Sequence, residues 1–186
     1  MKEIEVKIIE IDKDEIIKKL LDLGAEKVFE GNIYAVHYDF KDNSLKIGKS
    51  FVRLRKRGDK SFLAYKKKIS KDKAKVMEEI ETEVSDFDDT HNILLSIGLI
   101  PYLDYNKKRT SYKFKKILFE IDEYEDIPPL LEIEAPSVEI IDEMVKKLRL
   151  DKEKVKNWTG RDLYENYGKK FSYTGDKNET NPNQAW

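Results

Sequence analysis

The 186-residue chain has no cysteine, which removes a disulfide framework, a thiolate metal site and a cysteine nucleophile together. Histidine occurs only at His37 and His91, so a catalytic triad or a multi-histidine zinc centre has too little to build on. No apolar run approaches the roughly 18 residues of a transmembrane helix, and Met1-Lys2-Glu3 has none of the features of a signal peptide. Net charge is lacking too. Lys+Arg 36 against Asp+Glu 37 leaves −1, no general case for nucleic acid or an anionic membrane as partner. A soluble cytoplasmic protein of one domain is expected, large enough to bury most of its apolar surface. Any metal would have to be held by carboxylates, which favours hard cations such as Mg²⁺ or Mn²⁺.

Charge is what the chain has in quantity, 39% of its residues, and that charge alternates. In Glu3-Ile4-Glu5-Val6-Lys7 a β-strand puts Glu3, Glu5 and Lys7 on one face and Ile4 and Val6 on the other, with the carboxylates about 7 Å apart. A single strand of this kind reads most simply as a solvated edge. The pattern recurs, however. Residues 50–57 align Arg53, Arg55 and Arg57 against Val52 and Leu54, and Gly58-Asp59 turns the chain into 62–68, where Lys66 and Lys68 share a face. Residues 76–84 align Glu79, Glu81 and Glu83, and 107–115 align Lys107, Arg109 and Lys113. Residues 117–124 align Glu120 with Asp122, and 130–135 align Glu132 with Glu134. Residues 33–40 form the remaining strand, with Tyr34, Val36 and Tyr38 opposite Ala35 and His37, and 69–75 read as a lysine-rich loop.

Apolar residues at helical spacing mark 12–23, closed by Gly24, and a second helix from Ser85 or Asp86 through Leu95, closed by Gly98. A third runs from Ser137 to about Leu148, and a short helical piece is expected around 163–167. The stretches 14–24 and 88–98 align without a gap, a weak internal echo. The domain is expected over 1–168, followed by a polar tail, 169–186, that reads as poorly ordered.

Eight strand-like segments with short connections predict an α+β protein: an eight-stranded antiparallel β-barrel closed into a tunnel. Helices with one apolar stripe must cover the apolar strand faces, which turns the charged faces into the lumen. Partly buried charges cost several kcal/mol each by order of magnitude unless paired or liganded. Simple mutual pairing predicts acids and bases mixed on each strand, whereas here they are segregated, with Lys7 the main exception. A polyphosphate chelated by a divalent cation supplies a partner to both signs, and Arg forks with Lys point charges suit a chain of phosphates.

These residues resemble the CYTH superfamily, the triphosphate tunnel metalloenzymes, which includes class IV adenylyl cyclases and thiamine triphosphatases. Glu3, Glu5 and Lys7 match its E-x-E-x-K signature; Arg53-Leu54-Arg55, Lys66, and Lys107 with Arg109 look like its basic strands. The resemblance spans about 2–168 and is closest to compact class IV cyclase-like members. It implies that Glu3, Glu5, Asp122, Glu132 and Glu134 hold Mg²⁺ or Mn²⁺, with Glu79 or Glu81 as a further acid. It implies that Lys7, Arg53, Arg55, Lys66, Lys107 and Arg109 bind the substrate, Lys7, Arg55 and Lys66 among them as catalytic cations. The implied partner is a triphosphate-containing small molecule: ATP, tripolyphosphate or thiamine triphosphate. The reaction is either conversion of ATP to cyclic AMP and pyrophosphate or hydrolysis of a triphosphate.

Two other classes stay open, a non-catalytic polyphosphate-binding module and an RNA 5′-triphosphatase, for which Lys71, Lys73 and Lys75 are a weak hint. A homodimer also stays open. His37 and His91 are expected off the lumen face, and no aromatic residue is assigned a stacking role.

Overall fold

The computed structural model describes residues 2–170 and 172–174. Eight antiparallel strands, β1 (Lys2–Ile8), β2 (Glu26–Phe40), β3 (Ser50–Arg57), β4 (Lys60–Lys71), β5 (Lys75–Val84), β6 (Leu99–Phe114), β7 (Ile117–Tyr124) and β8 (Ile127–Glu134), form one sheet. Neighbours follow the order β5-β4-β3-β2-β6-β7-β8-β1, and β1 pairs back onto β5 to close the barrel. Closure comes from β1 dividing its length: Lys2–Glu5 face β5, and Glu5–Ile8 face β8. A two-residue strand, β9 (Val155–Lys156), pairs with the end of β1.

Five helices lie outside: α1 (Lys13–Leu23), α2 (Ser44–Ile47), α3 (Phe87–Ser96), α4 (Val138–Lys147) and α5 (Gly160–Asn166). The Asp12 carboxylate accepts from the Glu15 amide to start α1, and Gly24, at φ 85, ends it in the left-handed region. Its buried Ile16 and Leu20 pack with Ile141, Met144 and Val145 of α4 over Ile4, Val6, Phe119, Ile121, Leu131 and Ile133. On the other side Phe87 and Leu94 of α3 cover Val36, Tyr38 and Leu54. The apolar faces of the strands therefore look outward into the helices, and the charged faces look inward.

Two strands are longer than their alternation predicts. β2 begins at Glu26 rather than Ile33, and β6 at Leu99 rather than Lys107. The extensions pair with each other, from Glu26 opposite Lys113 to Phe40 opposite Leu99, with register shifts at Lys27/Phe29 and His37/Tyr38. Each bulge breaks the two-residue period, which hides the strand from a periodicity argument. The expected loop over 69–75 is mostly strand, since β4 continues to Lys71 and β5 starts at Lys75. The single turn of α2 was not expected either. It forms because the buried Asp39 carboxylate accepts from the amides of Phe40, Leu45 and Lys46.

In the expected tail, Lys169 pairs with Asp126 at 2.9 Å, the Tyr173 amide donates to the Tyr102 carbonyl, and Thr174 donates to Asp104. The remainder, 175–186, lies outside the described residues.

Candidate active site

The strand order sorts the inward charges into two arcs. β4, β3, β2 and β6 are contiguous and present Lys66, Arg53 with Arg55, and Lys107 with Arg109. β7, β8, β1 and β5 are contiguous and present Glu120, Glu132 with Glu134, Glu3 with Glu5, and Glu79 with Glu81. Segregation by strand in the sequence thus becomes a basic wall facing an acidic wall. Lys7, on β1, stands within the acidic wall.

Between the walls lies a cavity of about 600 Å³. Every site residue expected from the sequence lines it except Asp122, and Arg57, Lys68, Lys75 and Glu120 join them. Asp122 is fully buried behind the wall: Lys107 Nζ lies 2.6 Å from Oδ2, and Arg109 Nε and Nη2 lie 2.5 Å from Oδ1 and Oδ2. Arg109 also donates to Glu120 and to Glu132, the latter at 2.6 Å, so one guanidinium ties β6, β7 and β8 together. Burial opposes its charge, yet these carboxylates hold its pKa well above the ordinary value.

Pairing continues around the lumen. Arg53 bonds Glu79 and Glu81 at 2.9 and 3.0 Å, and Arg55 bonds Glu81 at 2.8 Å. Lys66 Nζ donates to Glu79 and lies 2.6 Å from Glu3 Oε2, a charge contact without hydrogen-bond geometry. Lys7 bridges Glu5 and Glu132, and Lys75 reaches Glu5 at 2.8 Å. Burial alone would raise the Glu5 pKa, but Lys7 and Lys75 hold it well below the carboxylate range.

The pairing leaves two kinds of unmet demand. On the basic wall the Nε atoms of Arg53, Arg55 and Arg57 are buried with no acceptor among the described residues. Burial and the adjacent Arg53 also depress the Arg55 pKa. On the acidic wall Glu134 makes no ion pair among the described residues, and burial with Glu3, Glu120 and Glu5 raises its pKa to about 8. Glu3 is raised as well, by burial and by Glu5. Among the described residues no three carboxylates or histidines are drawn into a ligating arrangement, because lysines and arginines spread them apart. The donor chemistry of this wall, oxygen only and crowded with like charge, fits a hard divalent cation.

His37 is a correction. It was expected off the lumen, yet it lines the cavity. Residues directly opposite in an antiparallel pair point the same way, and His37 is opposite Arg53. Both faces of β2 are aromatic or apolar, so only the register decides which is inner. Tyr105, opposite Ala35, and Tyr124 also face the lumen. Thr159, the N-cap of α5, and Arg161 in its first turn also line the cavity, a contribution that no alternation could signal. His91 stays outside, with Nδ1 2.6 Å from the Tyr38 hydroxyl.

Fold and site together define a charged β-tunnel. The sequence places the chain more narrowly: the family model described as CYTH domain matches residues 1–160, and the chain belongs to that family. A Methanocaldococcus jannaschii protein named "Putative adenylate cyclase" is 30% identical over 154 residues, 80% of this chain and 84% of that one. A solved Pyrococcus horikoshii structure, 24% identical, superposes with a TM-score of 0.74 over 87% of this chain and 98% of its own. A Hippeastrum protein described as having a dominant triphosphatase activity superposes at 0.66 with 13% identity, over 91% of this chain and 97% of its own. No helix among the described residues is long and apolar enough to cross a membrane.

Proposed function

We propose that this protein is a divalent-metal-dependent enzyme that binds a triphosphate compound in its tunnel and breaks a phosphoanhydride bond. The observation that carries this is the column of buried, acceptor-free Nε–H groups on Arg53, Arg55 and Arg57, facing an acidic wall with cation demand of its own. A neutral ligand would leave both demands unmet. A bare monoanion would meet only one.

In this reading Arg53, Arg55, Lys66, Lys107 and Arg109 hold the phosphate oxygens from the basic wall and fix the chain of phosphates in line. Mg²⁺ or Mn²⁺ held by Glu3, Glu5, Glu132 and Glu134 would neutralise phosphate charge as the bond to the leaving group breaks. Lys7, set among those acids, is placed to follow charge onto the reacting phosphate. Asp122 acts from behind the wall, orienting Arg109 and Lys107 rather than touching ligand. If water attacks the terminal phosphorus, the reaction is hydrolysis. If a ribose 3′-hydroxyl attacks the α-phosphorus and pyrophosphate leaves, it is cyclisation, the reaction named for the Methanocaldococcus relative. The lysine hint of an RNA 5′-triphosphatase weakens, because Lys71 is committed to Asp162 and Lys75 to Glu5.

Ligand-induced stabilisation tests the binding half. A ligand that binds only the folded state at a hundredfold excess over Kd adds about 2.7 kcal/mol, or roughly 5–11 °C at about 2–4 °C per kcal/mol. Tripolyphosphate with Mg²⁺ should give a shift of this size and monophosphate, at matched ionic strength, far less. Arg55→Ala should shrink it, whereas Lys73→Ala should not. Equal small shifts from both anions would refute a polyphosphate tunnel. Product identification from ATP with Mg²⁺ or Mn²⁺, with EDTA as control, then separates cyclase, hydrolase and inert binding module.

A further inference from the structure

His37 is level with Leu103 and Ala35 with Tyr105, near the N-terminal end of β6. The inner face around the N-terminal end of β6 therefore carries an aromatic cluster. In that cluster the His37 ring stacks on Phe51 at 4.5 Å and 12°, and the edges of Tyr102 and Tyr105 close around it at 6.2 and 5.7 Å. All four line the cavity.

We propose that His37, boxed by Phe51, Tyr102 and Tyr105, recognises the non-phosphate part of the substrate, a nucleoside, through a hydrogen bond to its Nε2. The inference rests on the triphosphate reading above and names which triphosphate the tunnel takes. His37 Nε2 is buried with no partner among the described residues. A buried polar atom left unpaired is costly, and a phenylalanine would keep the stack without that cost, so the imidazole is there for what its nitrogen meets. Burial and the nearby Arg53, Lys66, Lys75 and Lys107 keep the ring neutral. A neutral imidazole offers hydrogen bonding without charge, which suits a base edge or a ribose hydroxyl rather than a phosphate oxygen.

The rest of the cavity argues for a nucleoside over the other organic triphosphates. Lys46, Lys49 and Lys68 line it with no carboxylate partner among the described residues. They draw a polyanion inward and would repel a thiazolium cation such as that of thiamine. A volume of about 600 Å³ falls within the roughly 300–1,000 Å³ of pockets that enclose drug-sized ligands, more than a bare tripolyphosphate needs.

The test compares His37→Phe, which keeps the ring stack and removes the nitrogen, with wild type. Affinities are measured by calorimetry with Mg²⁺ for the non-hydrolysable imido analogue of ATP, for inorganic tripolyphosphate at initial binding, and for thiamine triphosphate. The expected result is nucleotide binding weakened about tenfold, tripolyphosphate binding within twofold of wild type, and thiamine triphosphate the weaker organic ligand throughout. Retention of full nucleotide affinity in His37→Phe overturns the assignment, as does an equal loss for nucleotide and tripolyphosphate, or a wild-type preference for thiamine triphosphate. Failure of wild type to bind tripolyphosphate at all would instead remove the tunnel reading beneath it. His37→Asn, which restores a neutral hydrogen-bonding group, should recover part of the nucleotide affinity.

Discussion

Arg109→Ala is expected to lower the melting temperature of the metal- and ligand-free protein by roughly 6–20 °C. Removing one partner of a buried ion pair costs about 3–5 kcal/mol, and a domain of this size loses about 2–4 °C per kcal/mol. Three carboxylates depend on this guanidinium, Glu120, Asp122 and Glu132, and Asp122 is wholly inaccessible to water. Lys107 remains to Asp122 and Lys7 to Glu132, but among the described residues Glu120 keeps only the Ser111 hydroxyl as a hydrogen-bond partner, at 3.2 Å. Stranded acids answer by taking up protons, so the mutant's folded state binds protons that its unfolded chain has released. Its deficit should therefore grow as pH rises from 5 to 8. Lys27→Ala, which breaks the exposed pair with Glu30, is the matched control and should leave the melting temperature almost unchanged. Thermal melts at both pH values decide the matter: a loss no larger than that of Lys27→Ala would show that water reaches the Arg109 network.

Why Arg109 could be read from the sequence and Asp122's position could not is a matter of what alternation encodes. A two-residue period states which side chains share a face, and Arg53 with Arg55, Glu3 with Glu5 and Lys107 with Arg109 all followed from it. The period does not state how far a side chain protrudes. Asp122 is on the inner face by parity, but its short side chain is engaged by the longer Arg109 and Lys107, and Glu120 shows at the surface instead. Nor does alternation choose a face when both are apolar, so only the pairing of His37 with Arg53 assigns it to the lumen. Strand order was equally beyond reach. The sequence segregates acids and bases by strand, yet only the hydrogen-bonded order makes β7, β8, β1 and β5 contiguous and so builds an acidic wall. The bulges at Lys27/Phe29 and His37/Tyr38 account for the underestimated lengths of β2 and β6, since each resets the pattern by one residue.

Glu134→Gln is expected to do the opposite of Arg109→Ala and stabilise the metal-free protein, in a pH-dependent way. The carboxyl's folded-state pKa is about 8, against an ordinary 4.5, raised by burial and then by Glu3, Glu120 and Glu5. An unfolded chain releases this proton near the ordinary value, whereas the folded protein keeps it until about pH 8. Between those values the native state binds more protons, so stability falls as pH rises, and the full penalty is present above about pH 8. The difference sets a ceiling of about 5 kcal/mol at about 1.4 kcal/mol per unit, and solvent at this half-buried side chain lowers it to roughly 2–3 kcal/mol. Glutamine keeps the shape and cannot ionise. In EDTA-treated protein it should therefore add about 4–12 °C at pH 9 and almost nothing at pH 5, at about 2–4 °C per kcal/mol. Glu5 and Glu132 shift the other way, held low by Lys7 and their other cations, so both proteins should still lose stability as pH falls below the ordinary carboxylate range. Saturating Mg²⁺ at pH 9 should then stabilise wild type more than Glu134→Gln, because only wild type has the buried negative charge to neutralise. Identical pH profiles for the two proteins would mean that Glu134 ionises as freely as any surface carboxylate and that the acidic wall has no unmet need for a cation.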